Sequence, residues 1–191
     1  MSTRAARAAA GVLLLALLAG CEAPANVESS SSSADDTITE IADADRGRPI
    51  VFGGQPDTGA TAKSSGWLGS VVVVNFWYAA CPPCRAEAPD LEALHEQFAP
   101  DGVVFIGVNV RDSAATATAF AQKFGITYPS IMDTTDSAVQ LAFAGKIAPN
   151  AVPTTIVLDQ EGRVASRILG RIPSRITLAT LIQSALAEGG K

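Results

Sequence analysis

The stretch "VVVVNFWYAACPPCRAEAPD", residues 71–90, contains a change of period that decides the fold. Val71 to Trp77 is an unbroken β-branched and aromatic run, the pattern of a strand buried on both faces. From Cys81 onward the residues suit a helix reaching about Phe98. Pro82 and Pro83 fit its first turn, because the N–H groups they lack would have no helical partner there. Cys81 is thus expected at the strand-to-helix turn, at the positive end of the helix dipole, where a thiolate is favoured. A disulfide closing so short a loop restrains an unfolded chain little, which argues against a structural staple. A zinc site needs four ligands, or three and a water, and the only histidine, His95, lies near the far end of the same helix. Transient Cu(I) binding by the two thiolates remains open, since soft ligands suit that ion.

Outward from this stretch, "GVVFIGVNV" (102–110) predicts a second buried strand, and Asp112 or Ser113 can cap a helix that Gly125 stops. "YPSIMD" predicts a short extended piece, and Asp136 to about Phe143 a short helix. "TTIVLDQEGRVASRILG" predicts a hairpin, and Ser174 caps a last helix ending at Gly189. "RPIVFGG" near residue 50 is expected to add an edge strand. The order implies an α/β domain with a central mixed sheet and helices on both faces.

Residues 1–20 read as an export signal, with Arg4 and Arg7 before a short apolar run from Gly11 to Ala19. The sequence Leu18-Ala19-Gly20-Cys21 resembles the bacterial lipobox, which implies lipidation of Cys21 and leaves a single pair of cysteines. Residues 21–48, with a five-serine run, read as a disordered tether, and residues 49–191 as one domain. Glu22 to Asp45 holds seven acids and no base, whereas Arg46 to Lys191 holds twelve of each. A neutral domain disfavours nucleic acid as a partner. Arg163, Arg167, Arg171 and Arg175 read as a solvated surface, or as a dock for an acidic partner.

Phe76-Trp77, the Cys-x-x-Cys opening a helix, Pro89 five residues beyond Cys84, and Val152-Pro153-Thr154 before the hairpin together resemble the thioredoxin fold. The lipobox, the extra βα unit from Val103 to Ile126, and Glu87 look like its membrane-tethered TlpA/ResA-like branch, within the redoxin superfamily. The resemblance implies a thiol-disulfide oxidoreductase with catalytic Cys81, Cys84 and Glu87. It places substrate contacts on Trp77, Pro82, Pro83, Val152, Pro153 and Thr154, with Pro153 in the cis state. It implies no cofactor beyond the Cys81–Cys84 disulfide, and a monomer anchored on the outer face of the cell membrane. Disulfide-containing exported proteins, including apocytochrome c, and a membrane thiol carrier are the implied partners. Glu87 lies one helical turn past Cys84, with its carboxylate leaning back toward the sulfurs, and is expected to accept the Cys84 proton. Ala80 stands where the family usually has Trp, so one wall of the substrate surface is missing or supplied by Tyr78.

The two prolines remove donors that would otherwise face the Cys81 sulfur, so thiolate stabilisation is expected to be moderate. That favours a reductant nearer about −270 mV than the ~ −120 mV of a strong oxidant, unless Arg85 folds over the sulfur. A disulfide-forming oxidant and a copper-delivery module are the alternatives. A peroxidase of the peroxiredoxin kind would need a threonine where Tyr78 stands.

Overall fold

The computed structural model describes residues 37–146 and 151–189. Cys21, the signal, and most of the expected tether lie outside them. The strands are β1 (Ile38–Glu40), β2 (Gly53–Gly54), β3 (Ala62–Lys63), β4 (Val72–Trp77), β5 (Val104–Asn109), β6 (Ser130–Met132), β7 (Thr154–Leu158) and β8 (Val164–Leu169). The helices are α1 (Pro82–Phe98), α2 (Ala114–Phe124), α3 (Ala138–Ala142) and α4 (Arg175–Glu188). Six strands form one sheet in the order β1-β8-β7-β4-β5-β6. β4 runs parallel to β5 and antiparallel to β7, so it is central, and all six of its residues are buried. This is the thioredoxin-like mixed sheet that the sequence implies.

Period-two alternation splits β4 between two cores. Val73, with Val71 just before the strand, packs beneath Leu91, Leu94 and Phe98 of α1 and Leu178, Leu181 and Ile182 of α4. Val72, Val74 and Phe76 face the other side, against Phe52, Val139 and Phe143. There the Phe143 ring makes edge contacts with Phe52 and Phe76 at centroid distances of 5.1 and 5.3 Å. Helix ends follow the expected capping chemistry. Ser113 Oγ accepts the Thr116 N–H, Ser174 Oγ accepts the Thr177 N–H, and Gly125 closes α2 in the left-handed region at φ 71°.

Two boundaries differ from the sequence expectation. The edge of the sheet is β1, inside the stretch read as tether, and not "RPIVFGG". Ile38, Thr39 and Glu40 pair with Ile168, Arg167 and Ser166, and Arg46 is anchored by ion pairs to Asp159 and Glu188. A strand this short carries too little pattern to be read from sequence. Gly53 and Gly54 instead pair with Lys63 and Ala62 in a separate small hairpin. A Cβ on Gly53 would lie 2.5 Å from the Ala62 carbonyl oxygen, so only glycine permits that approach. The short helix also starts two residues later than expected. Its start is held by Asp133, whose carboxylate accepts the N–H groups of Val139 and Gln140.

Candidate active site

The site lies at the carboxyl end of β4, where the chain turns into α1. Cys81 is the N-cap of that helix, with Pro82 and Pro83 filling its first two positions. Its sulfur accepts the Cys84 N–H at 3.2 Å, the one first-turn donor the prolines leave. Cys81 and Cys84 are joined by a disulfide with Cα atoms 5.3 Å apart. Both are covered in this state, at 1% and 3% exposure, but their surroundings differ. Cys81 is flanked by exposed Ala80 and Pro82, whereas Cys84 backs onto a cavity of about 10 Å³ shared with Asn75, Trp77, Tyr128 and Ser130. That volume suits about one water. Arg85 does not fold over the sulfur. Its guanidinium donates to the Ala79 carbonyl at 3.5 Å and lies 5.5 Å from the centre of the Phe124 ring.

Glu87 is completely buried. Asn75 Nδ2 donates to its Oε1 at 3.0 Å, and the Ile172 N–H donates to its Oε2 at 2.9 Å. Burial pushes this carboxyl up to about 7, against the opposing pull of the Ile172 and Asn75 hydrogen bonds and the Arg171 charge. A solvated helix glutamate would have none of these features. Asn75 cannot take a proton, but it is the residue that holds the acid in place, and its Nδ2 also donates to Thr155 Oγ1 at 3.1 Å. The signal was present in the sequence: an amide inside "VVVVNFW" must find a buried partner.

The Val152–Pro153 bond is cis. β7 begins just beyond it, with Thr154 paired to Phe76 and the Gly170 N–H donating to the Pro153 carbonyl at 2.8 Å. Pro153 itself is buried, Pro82 is exposed, and Pro83 and Val152 are half-buried, with Val152 packed against the group around Cys81. Two residues expected to contact substrate point inward instead. The Trp77 indole N–H donates to Ser130 Oγ at 3.0 Å, with Phe120 against its ring, and Thr154 Oγ1 donates to the Ala151 carbonyl at 2.7 Å. Each side chain meets its polar needs internally.

One contact escaped the sequence reading. Asp112 Oδ2 accepts the Ala79 N–H at 2.6 Å and the Asn109 amide at 2.8 Å, which ties the turn before Cys81 to the start of α2. Tyr78, in the same turn, carries the Arg111 guanidinium 4.1 Å from its ring centre. His95, toward the far end of α1, packs against the rings of Phe105 and Tyr128, which also touch each other.

A mixed sheet, a Cys-x-x-Cys disulfide at a helix N-terminus, a buried acid one turn on and an adjoining cis-proline define a thioredoxin-fold protein with a dithiol/disulfide centre. Residues 18–182 match the Redoxin family, and the chain belongs to it. It is 33% identical over 108 residues to the thiol-disulfide oxidoreductase ResA of Geobacillus kaustophilus, covering 56% of this chain and 59% of that protein. It is 34% identical over 102 residues to the thiol:disulfide interchange protein HelX of Rhodobacter capsulatus, covering 53% of each. The match therefore spans little more than half the length of these relatives. Among solved structures, a DsbF homologue from Corynebacterium diphtheriae superposes with a TM-score of 0.70 at 34% identity, covering 80% of this chain and 96% of that one. A secreted thiol-disulfide isomerase from Corynebacterium glutamicum gives 0.72 at 31% identity, covering 81% and 95%.

Proposed function

We propose that this chain is an extracytoplasmic thiol-disulfide oxidoreductase that reduces disulfides of exported proteins, held at the membrane by a lipid on Cys21. The observation that carries the reading is the Cys81–Cys84 disulfide at the N-terminus of α1, backed by the fully buried Glu87. In the reduced protein the Cys81 thiolate attacks one sulfur of a substrate disulfide. The substrate S–S bond breaks, a mixed disulfide forms, and the departing thiolate takes a proton. Cys84 then gives its proton to Glu87 and attacks Cys81 Sγ, releasing the second substrate thiolate. Two electrons pass from the Cys81/Cys84 dithiol to the substrate, which leaves as a dithiol, and the protein ends as the disulfide.

A carboxyl near 7 suits both halves of that proton transfer, because neither protonation state is far from the ambient pH. Asn75 links the two groups: it lines the one-water cavity with Cys84 and donates to Glu87. Outside the cytoplasm the spent disulfide needs an electron source, for which a membrane thiol carrier is the fitting class. Apocytochrome c is one exported substrate of the required chemistry.

Direction rests on how far the Cys81 thiolate is stabilised. One backbone donor reaches the sulfur, two prolines supply none, and Arg85 turns aside, which together support a reductant. The test is the equilibrium potential of the pair in glutathione or dithiothreitol buffers. A value below about −220 mV supports the reductant, and one above about −150 mV makes the protein a disulfide-forming oxidant.

A further inference from the structure

The charged residues divide unevenly between the two ends of the sheet. At the end away from the disulfide, Arg46 and Arg163 are engaged with Asp43, Asp159, Glu161 and Glu188. Arg175 pairs with Asp90, and Arg167 donates to the Lys146 carbonyl and Thr39. The four-arginine cluster of the sequence is therefore not one surface. Arg171 alone of the four is exposed and outside every ion pair found among the described residues.

Arg85 and Arg111 share that condition, as do Arg48 and Lys123, and of these Arg85, Arg111 and Arg171 belong to segments tied to the turn or loops beside the disulfide. Arg85 follows Cys84 and reaches the Ala79 carbonyl. Arg111 lies on Tyr78. Arg171 follows Gly170, whose N–H is bonded to the Pro153 carbonyl, and precedes Ile172, which holds Glu87. They thus approach from three elements: α1, the β5–α2 turn and the β8–α4 turn. The acids at this end are otherwise occupied. Among the described residues, Glu87 and Asp133 are buried, Asp112 holds Ala79 and Asn109, Asp90 pairs with Arg175, and exposed Asp136 accepts the Ala138 N–H.

We infer that these three arginines form a cationic frame selecting disulfides that lie in acidic polypeptide segments. The inference rests on the thiol-disulfide reading and names its substrate class. An extended segment crossing Cys81 beside Pro153 passes between the guanidiniums, which planar carboxylates match by paired hydrogen bonds. The frame acts mainly on encounter, so its effect belongs in kcat/KM and fades with salt.

The test compares two disulfide peptides of equal length, identical except that four flanking positions are Glu in one and Lys in the other, with the full chain in its reduced form. At roughly 10 mM salt the acidic peptide is expected to show a kcat/KM about tenfold higher, falling toward equality near 1 M salt. The Arg111→Ser/Arg171→Ser variant should bring the ratio toward one, and Arg111→Lys/Arg171→Lys should keep it. Equal rates, a preference for the lysine peptide, or a ratio unchanged in the serine variant would overturn the inference. So would binding to phosphatidylglycerol vesicles without any peptide preference, which would assign the frame to a lipid surface. Failure to reduce either peptide or an uncharged third one sinks the oxidoreductase reading instead. Calorimetric affinities of the two peptides for the oxidised chain still decide the charge preference in that case.

Discussion

The two ends of the sheet each bury a carboxylate and treat it in opposite ways. At the end away from the disulfide, Asp159 is 4% exposed and answered by full positive charge. Arg46 Nη1 lies 3.1 Å from its Oδ2, Arg163 Nε lies 2.9 Å away, and Glu188 shares Arg46. Burial works against the Arg46 charge, but hydrogen bonds to Glu188 and Asp159 outweigh it and hold the guanidinium protonated. At the disulfide end, Glu87 is buried more deeply and receives only neutral donors, the Asn75 amide and the Ile172 N–H. The lesson is that a buried acid held between two guanidiniums serves as structure. Glu87, whose hydrogen bonds come only from neutral donors and whose burial outweighs them, is pushed toward the proton and can do chemistry.

The largest effect should come from the cysteines themselves. Cys81→Ser is expected to lower disulfide reduction by at least about a thousandfold and to form no mixed disulfide, because the N-cap nucleophile is gone. Cys84→Ser should instead accumulate a mixed disulfide through Cys81, visible on non-reducing gels. The opposite pattern would reverse the roles read from their surroundings.

The distal pair is tested next. Arg46→Met leaves Asp159 short of one cation and should cost about 3 kcal/mol in urea unfolding, while the potential of the disulfide stays put. A shift in potential would show that the two ends are not independent.

Glu87→Gln should then slow release of the mixed disulfide roughly a hundredfold in stopped-flow. The parent rate should rise through about pH 7 as the carboxyl ionises, and the variant should lose that inflection. An unchanged profile would remove Glu87 from the proton path.

The last effect is thermodynamic. Because the folded carboxyl is raised to about 7, the folded state keeps a proton that the unfolded chain sheds above its ordinary value of 4.5. Stability should therefore fall as pH rises from about 4.5 to about 7, by an amount on the order of 3 kcal/mol, and then level off. Glu87→Gln should flatten that slope and be the more stable protein at pH 8. Its amide can accept from Ile172 and donate to Asn75 if the latter flips. A slope that survives the substitution would assign the loss to another group.

Much of this was legible in the sequence because it is local. The period change between Val71 and Phe98 specified the buried strand, the helix and the position of Cys81 at its start. Ser113, Gly125 and Ser174 marked helix ends through capping chemistry that depends on neighbours a few residues away. Glu87 was placed near Cys84 by helical spacing alone. What the sequence did not disclose depended on segments far apart in the chain. Ile38–Glu40 became a strand because β8 offered it a free edge, and Trp77 turned inward because Ser130 was there to meet it. The Glu87 environment joins Asn75 and Ile172 across the fold, and a proton affinity is a property of that enclosure, not of the residue. The division of the arginines into paired and free has the same origin. Charge is written in the sequence, but whether it is neutralised depends on which acids the sheet brings within reach.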